Sequence, residues 1–160
     1  MTVDDARRFF ADKPDFAMEP DDWMLIGVPT NFYASAPVDV ESGTLLGEQA
    51  EVRFTAVGFG WSYGDGSSRT SDGPGASWAA LGQREFTETP TSHTYAERGR
   101  YRIGLTVQYS SEYRIAGGDW QPIDGLVTVA SDRVVHGHAV RGTTVLVSGG
   151  CDAHPTGPGC

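Results

Sequence analysis

The chain reads as an all-β protein, and three observations carry that reading. Tyr101, Ile103, Leu105 and Val107 alternate with Arg102, Gly104, Thr106 and Gln108, the period of two of a strand with one buried and one wet face. The 21 glycines and 9 prolines among 160 residues supply the frequent turns that short strands need. Residues 109–115 and 120–129 flank Ala116-Gly117-Gly118-Asp119, whose Gly-Gly centre suits the primed turn of a long, projecting hairpin.

Element by element, Thr2 caps a short helix over residues 3–12, with Asp5 completing a capping box and Pro14 ending it. Phe9 and Phe10 give that helix an apolar side to dock. Residues 13–22 are rich in Pro and acids and read as linker, so residues 1–22 form an N-terminal helix and linker. Residues 23–28 make a buried first strand. Pro29 is tolerated only at an edge or end, and residues 30–33 continue the strand or form a bulge. Residues 38–43 read as a turn region leading into 44–47. Residues 51–57 alternate with Val52 and Phe54 inward, and 58–60 link them to a strand carrying Trp61. Residues 67–92 are a long excursion: a polar loop over 67–75, one helical turn at 76–81 and a charge-guarded edge strand at 84–88. Loops of this length inside a domain tend to be functional or mobile. Val134-Val135 and residues 144–147 add short β segments, so the sandwich body runs over 23–148 and a cysteine loop over 149–160.

Two motifs tie the middle together. Trp61-Ser62-Tyr63-Gly64-Asp65-Gly66 is a strand running into a turn in which Gly64 and Gly66 supply positive φ. His93-Thr94-Tyr95 follows, then a Gly99 turn into the Tyr101 strand. A W-x-[FY]-G-D-G turn followed by H-T-Y and Y-x-I-x-L-x-V resembles the polycystic kidney disease (PKD) repeat over residues 44–130. The resemblance implies an immunoglobulin-like β-sandwich of the kind found mostly in extracellular and cell-surface proteins. It makes Trp61, Gly64, Asp65, Gly66, His93, Tyr95 and Tyr101 structural, with Tyr95 suited to a corner hydrogen bond. It also raises calcium binding, since some PKD-like domains hold the ion with acids near this turn and the first strand. Asn31, Asp39 and Asp65 are the candidate oxygens here. Ser62 stands where the family often has Asp, which removes one carboxylate. The competing role for Asp65 is to accept backbone hydrogen bonds within its own turn.

Composition narrows the function classes. A net charge of −9 without any Lys/Arg cluster disfavours nucleic acid or an anionic membrane as partner. Eleven of the twelve basic residues are Arg, Lys13 being the exception, a bias expected of a GC-rich bacterial genome. No run of 18 apolar residues spans a bilayer, and the acidic N-terminus lacks the apolar core of a signal peptide. Cys151 and Cys160 bracket a Pro/Gly-rich segment and are expected to form a disulfide, as oxidising compartments favour. The chain is therefore expected to be a secreted or cell-surface module whose leader or anchor is absent from this sequence.

No nucleophile elbow, phosphate loop or dinucleotide fingerprint occurs. His136 and His138 would share a strand face and, with His154 and the cysteines, make the best transition-metal alternative. The plainer reading is two exposed histidines and a disulfide tail. Trp78, Tyr113 and Trp120 lie on the excursion or the hairpin; exposed together they would form a stacking surface for a protein or glycan. The expectation is a non-catalytic binding or spacer module in envelope assembly, without cofactor unless calcium binds. A carbohydrate-binding accessory domain is the alternative and a metal-dependent enzyme the more distant one.

Overall fold

The computed structural model describes residues 1–10, 13–45, 47–131 and 135–140. They form two β-sheets of mostly antiparallel strands, consistent with an all-β sandwich. The smaller sheet has the order β1 (Asp15–Glu19), β3 (Pro29–Ser35), β7 (His93–Thr94). The larger runs β2 (Trp23–Leu25), β10 (Val135–Val140), β8 (Gly99–Ile115), β5 (Glu48–Ser62), β4 (Asp39–Leu45), with β6 (Ser68–Ser71) also on β5 and β9 (Gln121–Ala130) also on β8. Only the β2–β10 pairing is parallel among the described strands.

Alternation explains how the sheets close on each other. Val52, Phe54, Phe59 and Trp61 of β5 and Ile103, Leu105, Val107 and Tyr109 of β8 point to one face. They meet Phe16 and Met18 of β1 and Phe32 of β3 in a single apolar cluster. Trp61 sits at its centre, edge-on to Phe16 at 5.8 Å and tilted against Phe32 at 6.3 Å. The spine of the larger sheet is β5 against β8, registered from Ala50↔Ile115 to Ser62↔Gly104 with one bulge between Ala56 and Gly58. That bulge lets one 15-residue strand cover what reads in sequence as two segments and a link.

Six elements depart from the sequence reading. The 67–75 polar loop carries β6, and the buried strand expected over 23–28 shortens to β2, in which Met24 alone is buried. The 13–22 linker contains β1, whose Phe16 and Met18 are buried against β3; two inward apolar residues among acids and prolines are too few to announce a strand. The 38–43 turn region is instead the body of β4, an edge strand whose alternation is mostly polar. The 84–88 edge strand is absent: Phe86 adopts φ +60° and turns its ring between Trp23 and Trp78. The helix α1 spans only Val3–Arg7. Past it Phe9 lies across bare Gly43, and Phe10 docks on Phe54 and Tyr109 at 4.9 and 4.8 Å. The Thr2/Asp5 capping box forms, as does the single helical turn α2 (Trp78–Leu81).

The long hairpin of β8 and β9 is present, and its turn places positive φ at Ala116 and Gly117, closed by Gly118 N–H donating to Ile115 C=O at 2.9 Å. The residues 141–160, with the expected disulfide Cys151–Cys160 and His154, lie outside the described residues. So do the side chains of His136 and His138, whose backbones pair with β8.

Candidate functional sites on the motif turn and the outer sheet face

The two motif halves meet in one hydrogen-bonded aromatic cluster. Strand β5 delivers Tyr63 to a turn in which Gly64 has φ +81°. A Cβ there would fall 2.6 Å from the backbone N and O of Arg102, so the close approach of the two chains demands glycine. Asp65 then accepts from Ser67 N–H at 2.9 Å within the turn and meets His93 Nε2 at 2.7 Å. The His93 ring stacks on Tyr63 at 4.3 Å and stands edge-on to Tyr95 at 4.7 Å. Tyr95 O–H donates to Tyr63 C=O at 3.0 Å, and Tyr63 O–H donates to Thr91 C=O at 3.0 Å. Tyr101 packs on Tyr95 at 4.5 Å and donates to Glu97 C=O.

Electrostatics follow this geometry. Burial opposes the charge on Asp65, but the hydrogen bonds from His93 and Ser67 outweigh it and hold the carboxyl below its ordinary range. Burial pushes the Tyr63 hydroxyl up to about 12. It pushes Tyr95 up further, aided by the Asp65 charge. The Asp65 carboxylate, His93 Nε2 and the Tyr63, Tyr95 and Tyr101 hydroxyls thus each face an internal partner.

The candidate calcium oxygens do not converge. Asn31 is fully buried: its amide nitrogen donates to Glu19 Oε2 at 2.9 Å and Ala76 C=O at 2.8 Å, and its oxygen accepts from Thr89 O–H at 2.7 Å. Asp65 is engaged with His93 and Ser67. Asp39 lines a separate cleft of about 240 Å³ with Phe10, Lys13, Asp15 and Tyr109. Among the described residues no group of three or more His, Cys, Asp or Glu is placed to share a metal ion.

The three candidate binding aromatics are also separated. Trp78 is buried; its backbone N–H donates to Glu19 and its indole N–H to Thr87 C=O, both at 2.9 Å. It helps to pin the 67–92 excursion. Thr91 O–H donates to Phe32 C=O and Pro74 C=O accepts from Ala34 N–H. The excursion therefore covers the edge of β3 beyond β7 and is bound to the body by buried polar contacts. Tyr113 stands on the inward-facing rows at the far end of β8 and donates to Gln121 Oε1 at 2.9 Å.

Trp120 has a different setting. On the outer face of the larger sheet Arg53 lies opposite Glu112, and Glu51 opposite Arg114. Each pair is a direct ion pair at 2.6 Å, and each side chain is about one-third exposed, between 28% and 36%. The half-buried Trp120 ring lies against both guanidiniums, 4.4 Å from Arg53 and 4.7 Å from Arg114. Residues 51, 53, 112 and 114 escape a reading of the sequence. The available signal is an E-x-R triplet in each strand, Glu51-Val52-Arg53 and Glu112-Tyr113-Arg114. Antiparallel pairing turns two such triplets into crossed ion pairs, but only once the register of two strands distant in sequence is known.

No family model matches this chain, and no curated protein or solved structure matches it. No helix among the described residues is long and apolar enough to cross a membrane.

Proposed function

We propose that this chain is a non-catalytic binding or spacer module of the PKD-like, immunoglobulin-type β-sandwich class, working at the surface of a bacterial cell or in its secreted assemblies. The observation that carries the reading is the outer-face cluster in which Arg53 and Arg114 hold Trp120. Aromatic residues and Arg dominate the energetics of protein contact surfaces, and a ring fixed in advance loses little entropy on binding. The Asp65–His93–Tyr95 cluster supports the same reading from the other side, since its polar groups are used in closing the turn.

The contact surface belongs on the outer sheet face and not on the 67–92 excursion. Removing that excursion would delete the buried Trp78, Thr89 and Thr91 and test folding instead of binding. The informative pair is the intact chain and Trp120→Ala, used to capture partners from the native cell surface. A partner held by the intact chain and lost by the variant is the expected result. Equal capture by both moves the contact elsewhere, and capture by neither leaves only a spacer. A glycan array run with the same two proteins separates a polysaccharide from a protein partner.

A further inference from the structure

We infer that the outer face of β4, β5, β8 and β9 is a self-complementary surface on which a second copy of this chain docks, forming a two-fold dimer. The inference deepens the reading of that face as a contact surface and rests on it.

Viewed onto the sheet, β5 carries Glu51 and Arg53 on outward positions two residues apart, and β8 carries Arg114 and Glu112 directly across from them. The four charges make a square with opposite signs along every edge and like signs only on the diagonals. They sum to zero, although the whole chain carries −9. Along the outward positions of β4 and β5 the remaining neighbours are Val40, Ser42, Thr44, Gln49 and Thr55, none of them charged, and β9 adds the exposed Asp124 beside the square.

A two-fold dimer joins one patch to itself, which normally sets like charges against each other. This square avoids that conflict. An in-plane two-fold axis running along the strands exchanges the β5 and β8 columns, so Arg53 of one copy lies over Glu112 of the other and Glu51 over Arg114. An in-plane axis running across the strands exchanges the two rows, so Arg53 lies over Glu51 and Arg114 over Glu112. In both arrangements every Arg meets a Glu. A balanced patch on an otherwise acidic protein thus selects another balanced patch. In about 0.15 M salt the Debye length is near 8 Å. That damps the repulsion between two −9 chains while sparing direct pairs.

Apolar material for the contact adjoins the square. Val40 lies opposite Arg53 on β4 and is 46% exposed, Pro122 of β9 lies opposite Glu112, and Trp120 is held over both guanidiniums. The face is only four strands wide, roughly 15–20 Å at about 4.8 Å per strand. That is less than a permanent interface uses, so the dimer is a weak one that forms where copies are concentrated.

The test is sedimentation equilibrium of the full chain from micromolar to millimolar concentration in 0.15 M salt. The expected result is a mass rising from 17.2 kDa toward twice that value. Two variants follow: an acidic face, Arg53→Glu with Arg114→Glu, and a basic face, Glu51→Arg with Glu112→Arg. Each alone should associate at least ~10-fold more weakly than the natural chain, and an equimolar mixture of the two should recover the heterodimer. If near-UV circular dichroism shows that either is not native, Gln at the same positions replaces the reversed charge. A natural chain that stays at 17.2 kDa throughout overturns the dimer, while loss of partner capture by Trp120→Ala would leave the binding-module reading standing. Variants that dimerise as the natural chain does, or a mixture that stays monomeric, overturn the charge-matched face.

Discussion

Gly64 and Asp65 show how much of the motif turn is set by single residues. Gly64 combines a left-handed backbone with a Cβ position 2.6 Å from the Arg102 main chain. Gly66 shares the backbone constraint at φ +92° but faces open space. Gly64→Ala should therefore cost on the order of 2–4 kcal/mol and Gly66→Ala only about 1 kcal/mol, a contrast that urea midpoints measured on both would reveal. Asp65 adds a pH signature. Its folded carboxyl is held below the ordinary range by His93 and Ser67 against the opposing effect of burial. A lowered folded pKa contributes stability above the unfolded value near 3.9, and that stability is lost as pH falls through the folded value. Between pH 5 and pH 2 the natural chain should lose urea resistance more steeply than Asp65→Asn. Equal slopes would show that the His93 contact does not stabilise the charged form.

Elements were legible in proportion to how strongly alternation marked them. β8 is readable because Tyr101 to Tyr109 keep one strict period, and the hairpin to β9 follows from its Gly-rich turn. β1 and β4 are hidden because an edge or end strand needs only two or three inward residues, here Phe16 and Met18 for β1. The excursion illustrates a different limit. Residues 89–92 carry no element in the sequence reading, yet Thr89, Thr91 and Ser92 are buried and bonded to the body or to each other. Polar residues that satisfy a strand edge look the same in sequence as those that face water. The same limit hid the charge square, whose members become neighbours only through β5–β8 register. Asn31 links β3, β1 and the excursion through three hydrogen bonds. Asn31→Ala would leave the Thr89 O–H without its acceptor, remove the donor to Ala76 C=O and leave Glu19 Oε2 with Trp78 N–H, a loss of roughly 2–4 kcal/mol. Limited proteolysis should then cut first within residues 67–92, whereas a global loss of protection with no early cut there would show that the excursion is not a separable latch.

At the scale of the whole molecule, the two sheets and the motif turn are joined by tyrosines that must stay neutral. Tyr63 reaches from the end of β5 to Thr91 in the excursion, and Tyr95 reaches back from β7's end to Tyr63. Ionising either puts a phenolate where water cannot solvate it, so burial raises both, Tyr63 to about 12 and Tyr95 beyond it. In the unfolded chain they titrate near 10. A raised folded pKa contributes stability that is complete below the unfolded value and disappears as pH rises through the folded one. The sandwich should therefore hold to about pH 10 and lose stability progressively toward pH 12 and above, the window that these two values bracket. Absorbance near 295 nm records tyrosine ionisation while far-UV circular dichroism records the sheets. If Tyr63 and Tyr95 lock the sheets to the excursion, the last tyrosines to ionise and the loss of β signal should coincide. Tyr63→Phe keeps the ring stacked on His93 while removing the ionisable group. It should move the alkaline transition upward at the cost of the Thr91 hydrogen bond, seen as a lower urea midpoint at pH 7. An alkaline transition left unmoved by Tyr63→Phe would place the coupling of the sheets in some other contact.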